Sequence, residues 1–355
     1  MKKEHILVIR FSALGDVAMV VPVVYSLAVA YPELRITVLS RPFARTLFEN
    51  LHPNIFFMEA DLKKEYKGIK GLNSLYRRLS AKKFTAVADL HHVLRSEYLR
   101  LRFKFDYISK VEHIDKHRDE KRHLVRQNNK ILVQLPTSFD NYTDVFARLG
   151  YPFKPQFHSI FPTEGGDLTL LPEPFSSLPF NNKWIGIAPF AAHTGKIYPV
   201  ALMERVVDTL SKKYPDSRIF LFGRGEKEKE TFNKWCSQYT QCIHVSETLG
   251  SIYEELIVMS HLRVLVSMDS ANMHLASLTA TPVISIWGAT HPYAGFLGWN
   301  QSPDNIIQMD MPCRPCSIYG NKECLKGNYE CLNKIEPERI IQRIEHILNQ
   351  NYDTH

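Results

Sequence analysis

The chain has 355 residues, of which 45% are hydrophobic and 11% aromatic, and it carries a formal net charge of +7. This composition excludes a disordered chain and is sufficient for about two globular domains with sizeable cores. No stretch reaches the roughly 18 apolar residues of a membrane span, and the apolar run after the first two lysines is too short for a secretory signal, so we expect a cytoplasmic protein.

The positive charge is concentrated in the first half of the chain. Residues 1–160 hold 27 Lys and Arg against 16 Asp and Glu, whereas the remainder holds 17 against 21. Residues 63–83 hold eight cations and a single acid, Glu65, interleaved with apolar residues. This pattern is typical of a helix that meets an anionic membrane or an acidic acceptor, and the alternative is an ordinary solvated face. We interpret the second basic tract, 110–126, as a surface loop.

Nucleic-acid binding is not expected. It would require aromatic platforms or a recognised motif beside the basic residues, and the sequence has neither.

The first half alternates between strand and helix patterns. A helical stripe that starts at Val17 follows the first strand, and Pro22 within it predicts a helix that starts late or is kinked. The alternation predicts a doubly wound parallel sheet, in which the polar stretches after strands, 11–16 and 89–96, are the places where ligands bind. The predicted strands are 5–10, 35–39, 54–58 and 85–88.

A tract rich in Pro, Gly and Ser at 166–183 predicts a linker between two domains, 1–165 and 184–335. The second domain repeats the alternation, with strands at 184–189, 218–222, 263–267 and 283–287, and helices near 200–213, 226–239, 253–261 and 270–280. The last segment, 336–355, contains an amphipathic helix that we expect to cross back onto the first domain.

The loops of the second domain suggest phosphate chemistry. Small and polar residues after Met268 leave backbone N–H groups free at a helix start, which suits a phosphate, although Asp269 or Ser270 as a simple helix cap is an equal alternative. Lys196 follows a run of small residues and could neutralise a phosphate as an exposed lysine. The sequence has no G-x-G-x-x-G, P-loop or D-x-D motif, which disfavours a dinucleotide dehydrogenase, a P-loop enzyme and a metal-bound nucleotide sugar.

Four of the six cysteines lie close together in the sequence. Their spacing, C-x2-C-x7-C-x6-C, is compatible with a structural zinc or an iron–sulfur site but matches no standard finger. Reduced thiols and disulfides remain as alternatives. The four residues are Cys313, Cys316, Cys324 and Cys331.

Five motifs, in this order along almost the whole chain, resemble those of the lipopolysaccharide heptosyltransferases, glycosyltransferase family nine. The resemblance implies a GT-B fold of two Rossmann-like domains facing each other across a cleft, and inverting transfer without an essential metal or other cofactor. Two departures from the family pattern bear on the donor sugar: Ala271-Asn272 in the turn, and His291 in place of an aspartate. The motifs are Arg10–Asp16, Asp89–Ser96, Lys196 with Tyr198-Pro199, Asp269–Ala276 and Gly288–Pro292.

The resemblance also implies roles for individual residues. Asp16 is expected to be the general base, with a helix cap as its alternative role, and Lys196 to stabilise the leaving diphosphate. An ADP-heptose donor would bind the second domain, and a lipid-linked or glycan acceptor the first, at the inner face of the inner membrane. The donor-binding candidates are Thr194, Gly223, Glu226, Asp269, Ser270, Ala271, Asn272 and His274, and the acceptor-binding candidates are Ser12, Arg95 and Ser96.

Two other functions are compatible with this pattern. A nucleotide-sugar-binding protein without transferase activity would keep the loops of the second domain and need no base at Asp16. A sugar-nucleotide epimerase on the same fold would bind a donor and need no acceptor. Asp16 together with the basic first half favours a transferase.

Overall fold

The computed structural model describes residues 4–106, 110–179 and 183–350. The chain packs into two compact units, Met1–His117 with Pro136–His158, and Arg118–Leu135 with Ser159–His355. Parts of the predicted linker, 180–182, and of the terminal segment, 351–355, lie outside the described residues. Within the described ranges, every helix is too short or too polar to cross a membrane.

The first unit is built on a parallel sheet. Its strands are β1 (His5–Ile9), β2 (Arg35–Ser40), β3 (Ile55–Glu59), β4 (Ala86–Asp89) and β5 (Lys110–His113). Their order in the sheet is β3-β2-β1-β4-β5, with Ile6 opposite both Ile36 on β2 and Ala86 on β4. All of β1 is buried, as expected of a central strand covered by helices on both faces.

The helices of this half cover the sheet. They are α1 (Leu14–Ala18), α2 (Val20–Ala30), α3 (Arg45–Phe48), α4 (Gly68–Ser80), α5 (Leu94–Phe105) and α7 (Ser138–Arg148). The helix α6 (Arg118–Leu124), between α5 and α7 in the sequence, belongs to the second unit. The predicted long first helix is broken at Met19, and α2 starts at Val20. Pro22 therefore lies in the first turn, where its missing N–H removes no helical hydrogen bond. Of the two alternatives, the structure has the late-starting helix.

The second unit contains a second parallel sheet, in the order β11-β10-β9-β6-β7-β8. Its strands are β6 (Trp184–Ala188), β7 (Arg218–Leu221), β8 (Cys242–His244), β9 (Val264–Met268), β10 (Val283–Trp287) and β11 (Ile306–Gln308). Its further helices are α8 (Val200–Lys213), α9 (Glu226–Gln238), α10 (Val245–Thr248), α11 (Ile252–Ser260), α12 (Ala271–Ser277), α13 (Glu330–Asn333) and α14 (Pro337–Asn349).

The C-terminal helix α14 packs into the core of the second unit. Its apolar stripe, which includes Ile340, Ile344 and Ile347, is buried in the same cluster as residues of α8. An ion pair between Lys213 and Glu345 also joins the two helices. That the terminal segment also crosses back onto the first domain stays a prediction.

Residues 118–135 pack with the second unit although they lie within the first half of the sequence. The Leu135 amide donates to the Tyr293 carbonyl at 2.9 Å, and Lys130 Nζ donates to the Pro315 carbonyl at 2.8 Å. Leu124 and Leu135 are buried in a small cluster with Ala294. The loop interpretation of 110–126 is therefore wrong in part, because the tract contains β5 and α6, and the predicted domain 1–165 differs from the first unit at this segment.

We expect Ile344→Ala to lower the free energy of unfolding by about 2–5 kcal/mol, because the side chain is fully buried and its removal leaves a cavity. Denaturant unfolding measures the change. Gln342→Ala, an exposed position on the same helix, is the control and should change stability by less than about 0.5 kcal/mol. Equal effects of the two substitutions would contradict the packing of α14 described above.

Candidate active site

Asp16 lies at the carboxyl end of β1, in the short helix α1. Its Oδ2 atom accepts the Ala13 backbone N–H at 2.9 Å and lies 2.8 Å from Arg10 Nη2. The Asp16 side chain is 33% exposed, whereas that of Arg10 is 9% exposed. The carboxylate therefore caps its helix and pairs with a buried cation while remaining accessible to solvent, so the two predicted roles of Asp16 are compatible.

The position of Arg10 is fixed by several parts of the first unit. Its Nη1 atom donates to the Leu90 carbonyl at 2.7 Å, just after β4, and its guanidinium lies 6.0 Å from the centre of the Tyr142 ring. The Tyr142 hydroxyl in turn donates to the Asp16 carbonyl at 3.3 Å. Burial raises the pKa of Tyr142, which keeps this hydroxyl protonated. Arg10 thus holds the carboxylate in one orientation.

His91 is a neighbour of this pair that the sequence analysis did not single out. The Phe11 amide donates to His91 Nδ1 at 3.4 Å, which places the ring proton on Nε2. Burial, together with the charge of Arg10, lowers the pKa of His91 to about 3, so the ring is neutral near pH 7. Asp89 fixes the backbone of this loop, because its Oδ1 atom accepts the amides of His91 and His92 at 3.0 and 2.9 Å.

The three acceptor candidates have different environments. Ser96 is buried, and its hydroxyl accepts the Val93 amide at 3.1 Å and donates to the Val93 carbonyl at 3.0 Å. This geometry gives Ser96 a structural role at the start of α5. Acceptor binding by Ser96 stays a prediction. Arg95 is exposed at the same helix end, and Ser12 is half-buried in the loop between β1 and α1.

Lys196 and Asp269 meet in the second unit, on the loops that follow the neighbouring strands β6 and β9. Lys196 Nζ lies 3.0 Å from Asp269 Oδ2, and the side chains are 16% and 5% exposed. The contact is mainly electrostatic, since Asp269 Oδ2 has no well-directed hydrogen bond from the described residues. Lys196 is therefore not the exposed lysine that the sequence predicts but the partner of a buried carboxylate.

The aliphatic part of the Lys196 side chain is enclosed by backbone of neighbouring loops. A Cβ atom at Gly320, where φ is +75°, would lie 2.6 Å from Lys196 Cδ. On the other side, the Ala289 amide donates to the Gly195 carbonyl at 2.8 Å, and the Cys316 amide donates to the Ala289 carbonyl at 3.0 Å. The loops that contain Gly195, Ala289 and Gly320 thus approach one another closely, which requires small residues at these positions. Their packing fixes the direction of the Lys196 side chain.

Arg314 joins these loops, and no sequence signal identified it. This residue is 3% exposed, and its guanidinium donates to backbone carbonyls of Trp287 at 3.1 Å and Thr290 at 2.9 Å. It also donates to the carbonyls of Gly288 and Met309. Burial lowers the pKa of Arg314, but its intrinsic value is so high that the group stays charged.

The remaining donor candidates follow adjacent strands of the second sheet. Ser270 occupies the N-cap position of α12, but its hydroxyl makes no capping bond and lies 3.3 Å from Ser267 Oγ. Because β10, β9, β6 and β7 are parallel neighbours, the loops at their carboxyl ends lie along one edge. On that edge Ala271 and Asn272 are half-buried, His274 is buried, Gly223 is half-buried, and Thr194 and Glu226 are exposed.

The loop after β7 contains an ion pair that the sequence analysis missed. Arg224 Nη2 lies 2.7 Å from Oε1 of Glu255, a residue that is 5% exposed. Burial raises the pKa of Glu255, and the charge of Arg224 opposes this effect. The pair fixes the loop that contains Gly223 to the start of α11.

The structure lends no support to a zinc site at the cysteines. Within the described ranges, no group of three or more His, Cys, Asp or Glu side chains is arranged to hold a metal ion. All six cysteines are free thiols rather than disulfides. Among the predicted alternatives, the structure has reduced thiols.

We expect Gly320→Ala to lower turnover at least about tenfold, because the new methyl group displaces Lys196. Gly327→Ala is the matched control: Gly327 has nearly the same φ, +74°, but nothing lies within 4 Å of the added Cβ. Both substitutions carry the cost of a left-handed backbone, so only the contact with Lys196 differs between them. Steady-state kinetics of both variants measure the difference, and similar activities would show that Gly320 does not position the lysine.

Comparison with known proteins connects this geometry to a family. The sequence matches Glycosyltransferase family 9 (heptosyltransferase) over residues 72–326. Lipopolysaccharide heptosyltransferase 1 of Campylobacter coli is 26% identical over 357 residues, which cover 96% of this chain and 98% of that protein.

Two solved structures show the same fold. The family 9 glycosyl transferase of Veillonella parvula has a TM-score of 0.72 at 20% identity, with 98% of each chain covered. The E. coli heptosyltransferase WaaC with ADP has a TM-score of 0.66 at 17% identity, with 97% of this chain and 99% of that one covered. The two parallel-sheet units match these structures, so the predicted GT-B fold class is confirmed. Since the family match covers most of the chain, this protein is a glycosyltransferase and belongs to glycosyltransferase family 9, the heptosyltransferases.

Proposed function

We propose that this enzyme transfers a heptose-like sugar from an ADP-sugar to a lipopolysaccharide core or related glycan, with inversion of the anomeric carbon. The observation that carries the proposal is the pair of charged sites at strand ends, an accessible carboxylate at Asp16 and a cation at Lys196. Inverting transfer needs one group of each kind, a base for the acceptor and a positive charge for the leaving diphosphate.

Asp16 is the proposed base. The acceptor hydroxyl oxygen attacks the anomeric carbon, the bond from that carbon to the diphosphate oxygen breaks, and the hydroxyl proton passes to the carboxylate. The ion pair with Arg10 orients the Asp16 carboxylate before the reaction. The neutral ring of His91 adds no second positive charge beside this base.

The donor is proposed to bind along the carboxyl edge of the second sheet. Lys196 supplies the charge that neutralises the departing diphosphate, so no metal ion is assigned to this step. The presence of ADP in the similar E. coli structure supports an adenine nucleotide, and we take ADP-heptose as the donor. Calorimetry with ADP, UDP, GDP and CMP tests this choice, and preference for another nucleotide would contradict it.

The acceptor is proposed to bind the first unit, where Ser12 lies in the loop before Asp16 and Arg95 at the start of α5, and the enzyme to act at the inner face of the inner membrane. The excess of basic residues in this half of the chain suits a phosphorylated or acidic acceptor. A nucleotide-sugar-binding protein or an epimerase would have no role for Asp16 in transfer. The substitution Asp16→Asn therefore distinguishes these alternatives from the proposal.

We expect Asp16→Asn to reduce turnover about 10²–10⁴-fold while ADP affinity stays near that of the wild type, because the amide keeps the size of the side chain but cannot accept a proton. Radiolabelled or coupled transfer assays measure the rate, and calorimetry measures ADP binding. A modest loss of stability is also expected, since Arg10 loses its carboxylate partner.

Asp140→Asn is the matched control for this experiment. Asp140 occupies the same third position of a helix and accepts the Thr137 amide at 2.8 Å, but its carboxylate has no arginine partner among the described contacts. The control should retain full activity. If Asp16→Asn is also fully active, Asp16 is a cap and not the base.

A double substitution tests the role of Lys196 in donor binding. Lys196→Met should weaken ADP binding and also destabilise the protein by about 3–5 kcal/mol, since it leaves the buried Asp269 carboxylate without its cation. Adding Asp269→Asn removes the buried charge and should restore most of the stability but not the affinity. Thermal unfolding and calorimetry separate the two effects, and recovery of ADP binding in the double variant would remove Lys196 from the donor site.

A further inference from the structure

We propose that the N-terminal ends of α4 and α5 dock on an anionic lipid bilayer, with Ile69 and Leu94 entering the headgroup layer. The inference deepens the proposed function, because it names the surface by which the first unit would approach a lipid-linked acceptor. It concerns binding to lipid alone, so its test does not require transfer.

Ile69 and Leu94 are unusually exposed for large aliphatic residues. They are 69% and 85% exposed, at the first turns of α4 and α5. The other apolar residues of α4, such as Leu72, Leu75 and Leu79, are buried in the core of the first unit. The core of the first unit therefore does not require Ile69, because other residues already form the buried stripe of α4.

The two side chains lie at the same edge of the sheet. Both helices follow strands of a parallel sheet, so both begin at its carboxyl edge, the edge that also holds Asp16. Asn73 Oδ1 accepts hydrogen bonds from Tyr98, at 2.6 Å, and from Arg102, which joins the second turn of α4 to α5. Ile69 lies four residues before Asn73 and Leu94 four residues before Tyr98, so each projects one turn beyond this contact.

The charges around this apolar pair suit an anionic surface. Lys67, Lys70 and Arg95 are exposed at the same helix ends, and Lys63 and Lys64 lie in the turn just before α4. Three acids are nearby: Asp61, which accepts the amides of Lys63 and Lys64, Glu65 in the same turn, and Glu97, which pairs with Arg100. Aliphatic side chains ringed by lysine and arginine are the pattern of peripheral membrane binding, in which apolar insertion adds to attraction by lipid phosphates.

The fold also divides the basic segment 63–83 into two groups. A helix of 13 residues such as α4 is about 20 Å long, so Lys82 and Lys83, beyond its C-terminus, lie at the opposite edge of the sheet from Lys67 and Lys70. The proposal assigns lipid contact only to the first group. Lys82 and Lys83 therefore serve as an internal comparison of equal charge.

The test is cosedimentation of the full-length protein with vesicles of phosphatidylglycerol and phosphatidylcholine. Ile69→Ser with Leu94→Ser should weaken binding to phosphatidylglycerol vesicles about tenfold or more. The control, Leu170→Ser with Leu325→Ser, removes two leucines that are 61% and 70% exposed in the second unit and should leave binding unchanged. All four side chains are exposed, so each variant should fold, which the melting temperature verifies.

A charge comparison completes the experiment. Lys67→Glu with Lys70→Glu should reduce binding more than Lys82→Glu with Lys83→Glu, and the difference should vanish as salt rises. Unchanged binding in the Ile69 and Leu94 variant, or equal losses in the matched pairs, would overturn the proposal. The protein could also prove to have no transferase activity while the substitutions at Lys67 and Lys70 still reduce vesicle binding more than those at Lys82 and Lys83. That result would refute the proposed function and support this inference.

Discussion

The ion pair between Lys196 and Asp269 is the contact on which the second unit's site depends. A carboxylate that is 5% exposed is tolerated only beside a cation, so the loops after β6 and β9 are constrained together. In the proposed reaction the same cation binds the departing diphosphate. The diphosphate then competes with Asp269 for the lysine, and the buried carboxylate limits how strongly Lys196 can hold the product.

The site of the first unit has the opposite arrangement. There the cation, Arg10, is buried and fixed by the Leu90 carbonyl, whereas the anion, Asp16, is partly exposed. In each unit the partner that is more buried is the one that the proposed chemistry uses less directly. One unit offers a carboxylate and the other an ammonium, although both are built from the same element, a polar loop at the carboxyl end of a parallel strand.

Much of this architecture could be predicted from residue patterns. The helix α8 has the predicted bounds, 200–213, because it has a complete apolar stripe and a clear start and end. The edge strands β5, β8 and β11 were missed, since they are only three or four residues long and partly polar. Short edge strands are recognised by their neighbours in the sheet and not by their own sequence.

The missed site residues have a similar explanation. Arg314 binds carbonyls 27 and 24 residues away, and carbonyls are present at every position, so no side-chain pattern identifies the partner. The same is true of Gly320, whose importance comes from the stem of Lys196 more than 100 positions earlier. Asp16 and Lys196 were found because a family motif surrounds them. The burial of Lys196 and of Ser96, in contrast, depends on packing that a local pattern does not contain.

The packing of residues 118–135 with the second unit has a consequence for folding during synthesis. Its contacts with Tyr293 and Pro315 involve residues that leave the ribosome more than 150 positions later. The helix α7, which packs on α2 in the first unit, is synthesised only after this segment. The nascent first unit must therefore close around a loop whose apolar residues, Leu124 and Leu135, stay without their native cover until Ala294 has been synthesised.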